Sequence, residues 1–140
     1  MKIVYLSSSL IPSKTANSIH VMKMCSAFAN NGHNVTLIAR NKENLSNISK
    51  DDIFKYYGVE KKFKLKLYHR RKTSFGFIWY SLISVIYAKY CGYELAYSRN
   101  IYGTFFSTLF GIKSIYEAHS PENHTRSNTL IFKRIINHKN

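Results

Sequence analysis

The sequence has few of the features that disulfide-stabilised, secreted or membrane-spanning proteins need. Its 140 residues include two cysteines, two prolines and only seven acidic residues. Cys25 and Cys91 both lie in apolar helical patterns without paired spacing, which predicts small buried hydrophobes in a reduced compartment. The longest apolar run, residues 75–88, is shorter than the roughly 20 residues that cross a bilayer, and no secretory pattern is visible. We therefore expect a cytoplasmic protein.

The scarcity of acidic residues leaves a strongly basic chain. There are 21 Lys and Arg residues against seven Asp and Glu, which gives a formal net charge of +14. Such a surface attracts anions, and charge alone does not choose among nucleic acid, acidic lipid headgroups and phosphorylated substrates. Residues 61–72 hold seven Lys or Arg interleaved with apolar side chains. That mixture is typical of single-stranded nucleic-acid surfaces, of anionic membrane interfaces, and of a solvated strand before a core helix.

Hydrophobic periodicity divides the chain into alternating strands and helices. The predicted strands are Lys2–Leu6, Val35–Ala39, Lys64–Tyr68, Glu94–Ser98 and Ile112–Tyr116. The predicted helices are Ile19–Ala29 with Asn17 or Ser18 as its cap, Asp51–Tyr57, Phe75–Tyr90, Thr104–Phe110 and Leu130–Ile136. We expect most of the third helix to be buried core. The alternation predicts one Rossmann-like α/β domain over residues 1–140, a parallel sheet flanked by helices.

The loop after the first predicted strand is the first candidate site wall, because ligands of open α/β sheets bind beyond the carboxyl ends of strands. Seven of the twelve residues 7–18 are Ser, Thr or Asn, and the segment leads into a helix amino terminus, where phosphate often binds. It has no glycine, which argues against a dinucleotide loop and a Walker A loop. An ordinary polar loop with a helix cap explains it equally well. The acceptor- or phosphate-binding candidates here are Ser9, Ser13, Lys14, Thr15, Ala16 and Asn17.

Two later strand ends carry the other candidates. Arg99 and Asn100 follow the fourth predicted strand, where a guanidinium could hold a phosphate or carboxylate bidentately, unless it is simply a surface arginine. Glu117, His119 and Glu122 follow the fifth, and a histidine there can bond a hydroxyl or phosphate oxygen or transfer a proton, unless it is a solvated loop residue. We predict His119 and Glu117 as catalytic, and Arg99, Asn100 and Glu122 as binding residues. No spacing indicates a metal site.

Several stretches resemble, in their order and spacing, a known family. They are residues 1–6 (MKIVYL), 12–21 (PSKTANSIHV), 27–38 (AFANNGHNVTLI), 97–100 (YSRN) and 115–119 (IYEAH). This chain resembles the amino-terminal domain of family 4 (group 1) retaining glycosyltransferases, which have the two-domain GT-B fold.

The resemblance implies an acceptor-binding domain of an enzyme that moves a sugar from a UDP- or GDP-sugar to a glycan or lipid-linked acceptor. It also implies that residues 13–17 approach the donor phosphates and the acceptor, and that His119 lies near the transferred sugar. Family members often have glycines in the first loop, and this chain departs from them there.

The resemblance further implies what the domain works with. The donor-binding carboxyl-terminal domain lies outside these 140 residues, so we expect it in cis or in trans. We expect no cofactor bound by this domain alone and no sugar transfer without the second domain. Because many members act at membranes, we expect a role in cell-envelope polysaccharide synthesis and peripheral contact with the anionic inner face of a membrane.

Two other functions compete with a glycosyltransferase. One is a non-enzymatic basic module that binds nucleic acid or anionic membrane, although no nucleic-acid motif supports it and nucleic acid is not the expected partner. The other is a different small-molecule enzyme on the same fold, because fold does not determine chemistry.

Overall fold

The computed structural model describes residues 1–41, 49–69, 73–118, 130–131 and 133–135. Within these ranges, strands and helices alternate along the chain. The strands are β1 Lys2–Ile11, β2 Asn34–Asn41, β3 Lys64–His69, β4 Leu95–Ser98 and β5 Lys113–Tyr116. The helices are α1 Ala16–Asn30, α2 Lys50–Tyr56, α3 Ser74–Tyr90 and α4 Ile101–Leu109. Residues 130–131 and 133–135, within the last predicted helix, are helical.

The strands form one parallel sheet in the order β3-β2-β1-β4-β5. The chain builds outward from β1 to β3, crosses back through α3, and continues on the other side with β4 and β5. The order therefore reverses between β1 and β4, where open α/β sheets bind their ligands. The Rossmann-like α/β fold predicted from the sequence is confirmed, and β3 is an edge strand as its alternating pattern predicts.

Apolar side chains cover both faces of the sheet, as a parallel sheet requires. On one face, α1 and α2 pack through residues such as Val21, Met22 and Phe54. On the other face, α3 packs through Tyr80, Val85 and Ala88. The two cysteines are free. Cys25 is buried in the first core, and burial raises the pKa of its thiol, whereas Cys91 is only partly buried, so the buried-hydrophobe prediction is correct for Cys25 alone.

The first strand and helix extend beyond their predicted limits. β1 continues through the three serines to Ile11, with a register shift between Leu6 and Leu10 where it pairs with β2. The buried Ser7 and Ser9 hydroxyls hydrogen-bond each other, which lets polar residues continue a buried strand. The helix cap is Thr15, whose Oγ1 accepts a hydrogen bond from the Ser18 amide. The prediction that Asn17 or Ser18 caps α1 is wrong, because both lie in its first turn.

The third helix is buried differently from the prediction. Its small residues Ser81, Ser84 and Ala88 face the interior, and the Ser81 and Ser84 hydroxyls donate to the backbone carbonyls one turn earlier. Large apolar residues on the opposite side, including Phe75 and Tyr90, are exposed. The expectation that most of this helix is core is therefore wrong for its outer face, because α3 packs on the sheet and α4 from one side only.

Candidate functional site

The sheet register brings three strand ends together at the reversal point. Leu6 pairs with Ser98, and Ser98 pairs with Tyr116. The ladder continues one residue further, because the Arg99 amide donates to the Leu6 carbonyl at 3.3 Å and the Glu117 amide donates to the Ser98 carbonyl at 2.9 Å. Arg99 and Glu117 therefore lie side by side at the carboxyl edge of the sheet.

Strand alternation puts a set of polar side chains on the α1 face of this edge. Residues two apart along a strand share a face, so Tyr97 and Arg99 lie on the same side as Tyr5 and Glu117. The first turns of α1 add His20 from above. We call Tyr5, His20, Tyr97, Arg99 and Glu117 the Glu117 cluster.

The Glu117 carboxylate is the centre of this cluster. Its Oε2 accepts a hydrogen bond from Tyr5 Oη at 3.3 Å. Its Oε1 lies 3.2 Å from His20 Nε2 and 3.5 Å from Arg99 Nε. The last two contacts are ion-pair distances without hydrogen-bond geometry, because neither nitrogen makes a hydrogen bond among the described residues. One carboxylate thus faces one hydroxyl, one imidazole and one guanidinium.

The Arg99 side chain is buried, and two of its nitrogen atoms are without a hydrogen-bond partner among the described residues. Its side chain is only 3% exposed, and within the described part of the chain Nε and Nη2 have no hydrogen-bond partner. Asn17 Oδ1, on the overlying helix, is a buried acceptor that is also without a partner among those residues. Buried polar groups are normally satisfied, and exceptions in native structures often mark functional sites. The carboxyl edge therefore holds buried donors and a buried acceptor whose hydrogen bonds are unsatisfied among the described residues.

The tyrosines of the cluster are held as neutral hydrogen-bond donors. Burial raises the pKa of the Tyr5 hydroxyl far above its ordinary value, and the negative charge of Glu117 raises it further. The pKa of Tyr97 is raised in the same way, by burial first and by the Glu117 carboxylate second. Ring contacts fix both tyrosines, since the Tyr97 ring lies 5.1 Å from Tyr5 and 5.3 Å from Phe28. The cluster is thus rigid on its inner side.

The loop before α1 forms the outer rim of the site. Ser13 is half-buried, and Lys14, Thr15 and Ala16 are exposed. Tyr57, the residue after α2, clamps this loop: its hydroxyl accepts from the Ser13 amide at 2.7 Å and donates to the Ser13 carbonyl at 2.9 Å. The loop therefore presents polar side chains to solvent from a fixed backbone.

Two of the predicted binding residues, Ser9 and Asn100, make side-chain hydrogen bonds within the fold. The Ser9 side chain is buried and hydrogen-bonds Ser7 Oγ at 2.9 Å. Asn100 caps α4 through its Oδ1, which accepts from the Tyr102 amide, while its Nδ2 donates to Ser81 Oγ at 2.7 Å. Asn100 is thus held in place directly after Arg99 in the chain. A ligand contact by Ser9 or Asn100 stays a prediction.

Two predicted residues, His119 and Glu122, lie outside the described residues, as do the basic residues 70–72. Among the described residues, no group of three or more His, Cys, Asp or Glu side chains could hold a metal ion. Sequence reasoning missed Tyr5, His20 and Tyr57. A tyrosine in the middle of a buried strand was the one available signal for Tyr5, because its hydroxyl needs a partner there.

Two surface cavities lie away from the Glu117 cluster. One lies at the opposite, amino edge of the sheet, between the turn at residues 92–94 and the turn at residues 111–113. The other is an apolar groove between α4 and the helical residues 130–131 and 133–135, lined by Phe105, Leu109 and Ile131 among others. Neither contains a residue predicted from the sequence as a ligand.

Comparison with known proteins places the fold. No protein-family model matches the chain, and no curated protein matches it. Among solved structures, the chain is similar to Anabaena Alr3699/HepE, whose crystal structure is a complex with UDP. The likeness has a TM-score of 0.57 at 15% identity and covers 98% of this chain but 35% of that one. Nearly the whole chain therefore shares its fold with about a third of a longer, UDP-binding protein.

Proposed function

We propose that this chain is the acceptor-side lobe of a glycosyltransferase with a GT-B fold. The whole enzyme would move a sugar from a UDP- or GDP-sugar to a glycan or lipid-linked acceptor. The observation that carries the proposal is the Glu117 cluster, with its buried Arg99 donors, at the point where the strand order reverses. Similarity to part of a protein solved with UDP supports a nucleotide-sugar donor.

The chemistry of the cluster suits a ligand with many hydroxyl groups. A sugar hydroxyl both donates and accepts, so a ligand with several hydroxyl groups offers partners for donors such as Arg99 N–H and for acceptors such as Asn17 Oδ1. The Glu117 side chain is 24% exposed and that of His20 is 41% exposed, so the cluster reaches the surface through these two residues. In our proposal, Glu117 orients an acceptor hydroxyl or takes its proton, and His119 lies close to the transferred sugar.

The donor is expected to bind mainly on a second lobe. Similarity to only 35% of the length of Alr3699/HepE supports a division of this kind. Transfer then occurs only when the second lobe, in cis or in trans, closes over the carboxyl edge. The rim formed by the half-buried Ser13 and the exposed Lys14 and Thr15 would approach the donor phosphates, with Lys14 supplying positive charge. Synthesis of cell-envelope polysaccharide at the inner face of a membrane is the setting that we propose.

A transfer assay tests this function. Radiolabelled UDP- and GDP-sugars are incubated with glycan and lipid-linked acceptors and with the chain, alone and together with a donor-binding lobe. We expect label in the acceptor only when both lobes are present. In that two-lobed enzyme, Glu117→Gln should lower kcat by about a hundredfold or more, since acid–base groups contribute about that much. The exposed Glu60→Gln is the matched control.

Three results would contradict the proposal. Turnover by the chain alone would contradict the need for a second lobe. A Glu117→Gln enzyme with the kcat of the Glu60→Gln control would remove Glu117 from the mechanism. Failure of every donor and acceptor, together with tight and salt-sensitive binding to polyanions, would favour a non-enzymatic basic module instead.

A further inference from the structure

The outer face of α3 is an unusual surface for a helix on a Rossmann-like sheet. Its large apolar residues recur at helical spacing and are exposed to solvent, Phe75 by 75%, Trp79 by 45%, Ile86 by 47% and Tyr90 by 92%. The partly exposed Leu82 lies between them. We call these residues the α3 stripe. At about 1.5 Å per residue, the helix presents it along about 25 Å.

The surroundings of the α3 stripe are basic. Residues 61–93 contain eight Lys and Arg and no Asp or Glu. On β3, Lys66 lies beside the helix, with its Nζ 3.3 Å from the Tyr87 ring centre. Lys64, on the same strand face, and Lys89, near the end of α3, are exposed. Lys side chains therefore border the carboxyl-terminal half of the apolar face.

We propose that the α3 stripe is a docking surface for an anionic lipid bilayer, on which α3 lies flat with its apolar side chains in the headgroup region. Aromatic and aliphatic side chains flanked by Lys and Arg are the composition of interfacial helices. Trp and Tyr are favoured at that depth because one part of each ring system is apolar and the other is polar. Within the described residues, none of the helices combines the length and apolar character that crossing a bilayer requires.

Other occupants fit the surface less well. Single-stranded nucleic acid is bound by stacking on aromatic rings, and the aliphatic Leu82 and Ile86 in the centre of the stripe offer no ring. A second copy of the chain would bring two strongly basic surfaces together, which repel each other. An anionic bilayer matches both the apolar stripe and the charge around it.

The α3 stripe lies towards the edge of the sheet that carries the proposed site, but the docking proposal does not depend on the proposed function. The helix begins at the carboxyl edge of the sheet, after β3, so Phe75 and Trp79 lie towards the same edge as the Glu117 cluster. Docking through α3 would bring that edge close to lipid-linked acceptors. The inference itself rests on the exposed stripe and its charges, so failure of sugar transfer would leave it standing.

The single tryptophan of the chain, Trp79, makes the test direct. The 140-residue protein is mixed with phosphatidylglycerol vesicles and with phosphatidylcholine vesicles, which contain no acceptor or nucleotide sugar. We expect co-sedimentation with the anionic vesicles, a blue shift of Trp79 emission, and weakening of both by salt. The double variant Phe75→Ser/Tyr90→Ser keeps the reporter and should lower the partition coefficient by about tenfold or more.

The control and the opposing results are equally defined. Tyr56→Ser changes an exposed aromatic residue on α2, on the opposite face of the sheet, and should bind vesicles like the unchanged protein. Circular dichroism confirms that each variant is folded. The inference is overturned by an unchanged Trp79 spectrum with anionic vesicles or by undiminished binding of the double variant. It is equally overturned if the Trp79 surface binds oligonucleotides in preference to vesicles. The same holds if the unchanged protein is a dimer in solution and the double variant is a monomer.

Discussion

Substitution of Glu117 by glutamine is the sharpest test of the electrostatics at the carboxyl edge. The change keeps an acceptor for Tyr5 Oη but removes the negative charge that lies 3.5 Å from Arg99 and 3.2 Å from His20. The Arg99 side chain is only 3% exposed, so its guanidinium would remain buried without a counter-charge. Loss of one partner of a buried pair costs about 3–5 kcal/mol.

The expected effect is smaller than that general figure. The Glu117 side chain is 24% exposed, so water already screens part of the attraction. The guanidinium contact also lacks hydrogen-bond geometry. We therefore expect Glu117→Gln to lower the free energy of unfolding by about 2 kcal/mol. Urea unfolding at neutral pH, followed by Trp79 fluorescence and circular dichroism, measures it as a shift in midpoint at unchanged slope.

A double-mutant cycle separates charge from packing. Replacing both partners, with Arg99→Met and Glu117→Gln together, removes the uncompensated charge, so the pair should be less unstable than the sum of the single variants. Glu60→Gln, in an exposed pair with Lys62, should change stability by less than about 0.5 kcal/mol. The reasoning is refuted if Glu117→Gln behaves like Glu60→Gln, or if the two single effects at the cluster simply add.

Three further predictions concern the fold around the site. Burial raises the pKa of the Tyr80 hydroxyl well above its ordinary value. Above about pH 10 the unfolded chain therefore loses this proton before the folded protein does, and the free energy of unfolding falls as the pH rises further. Tyr80→Phe should make that fall shallower, whereas Tyr90→Phe, at an exposed position, should leave it unchanged. Asn100→Ala removes the α4 cap and a buried bond to Ser81, which should cost about 2 kcal/mol in urea unfolding. Thr15→Ala removes the α1 cap and should cost about 1 kcal/mol.

Each of these three has a clear opposing result. An alkaline stability profile that is identical in Tyr80→Phe and the unchanged protein would contradict the assigned titration. An Asn100→Ala variant as stable as the unchanged protein would show that the hydrogen bonds of the Asn100 side chain do not stabilise the fold. A Thr15→Ala variant with full stability, measured in the same urea experiment, would move the start of α1 to another residue.

Hydrophobic periodicity predicted most of the fold, because buried parallel strands and packed helices leave strong apolar patterns in the sequence. It failed to predict the ends of strands and helices where hydrogen bonds determine those ends. Ser7 and Ser9, which follow the first apolar run, hydrogen-bond each other inside β1, so the strand continues beyond its apolar residues. The Asn100 side chain caps α4, so this helix begins at Ile101 instead of the predicted Thr104.

The site was predictable only in part, for a related reason. Arg99 and Glu117 were found because each directly follows a strand, and parallel strands end at one edge. Tyr5 and His20 were missed because their roles depend on which helix face lies over which strand, which one sequence does not specify. The α3 stripe was missed because apolar periodicity reports that a face is apolar, not that another part of the protein covers it.

The most direct test of the central claim is a map of where ligands bind. Amide chemical shifts of the 140-residue chain are followed by NMR during titration with oligosaccharides and with UDP. The account predicts the largest changes at residues 13–18, 99–100 and 117, at the carboxyl edge of the sheet. Changes centred on the amino-edge cavity at residues 92–94 and 111–113, or no changes with any ligand, would contradict it.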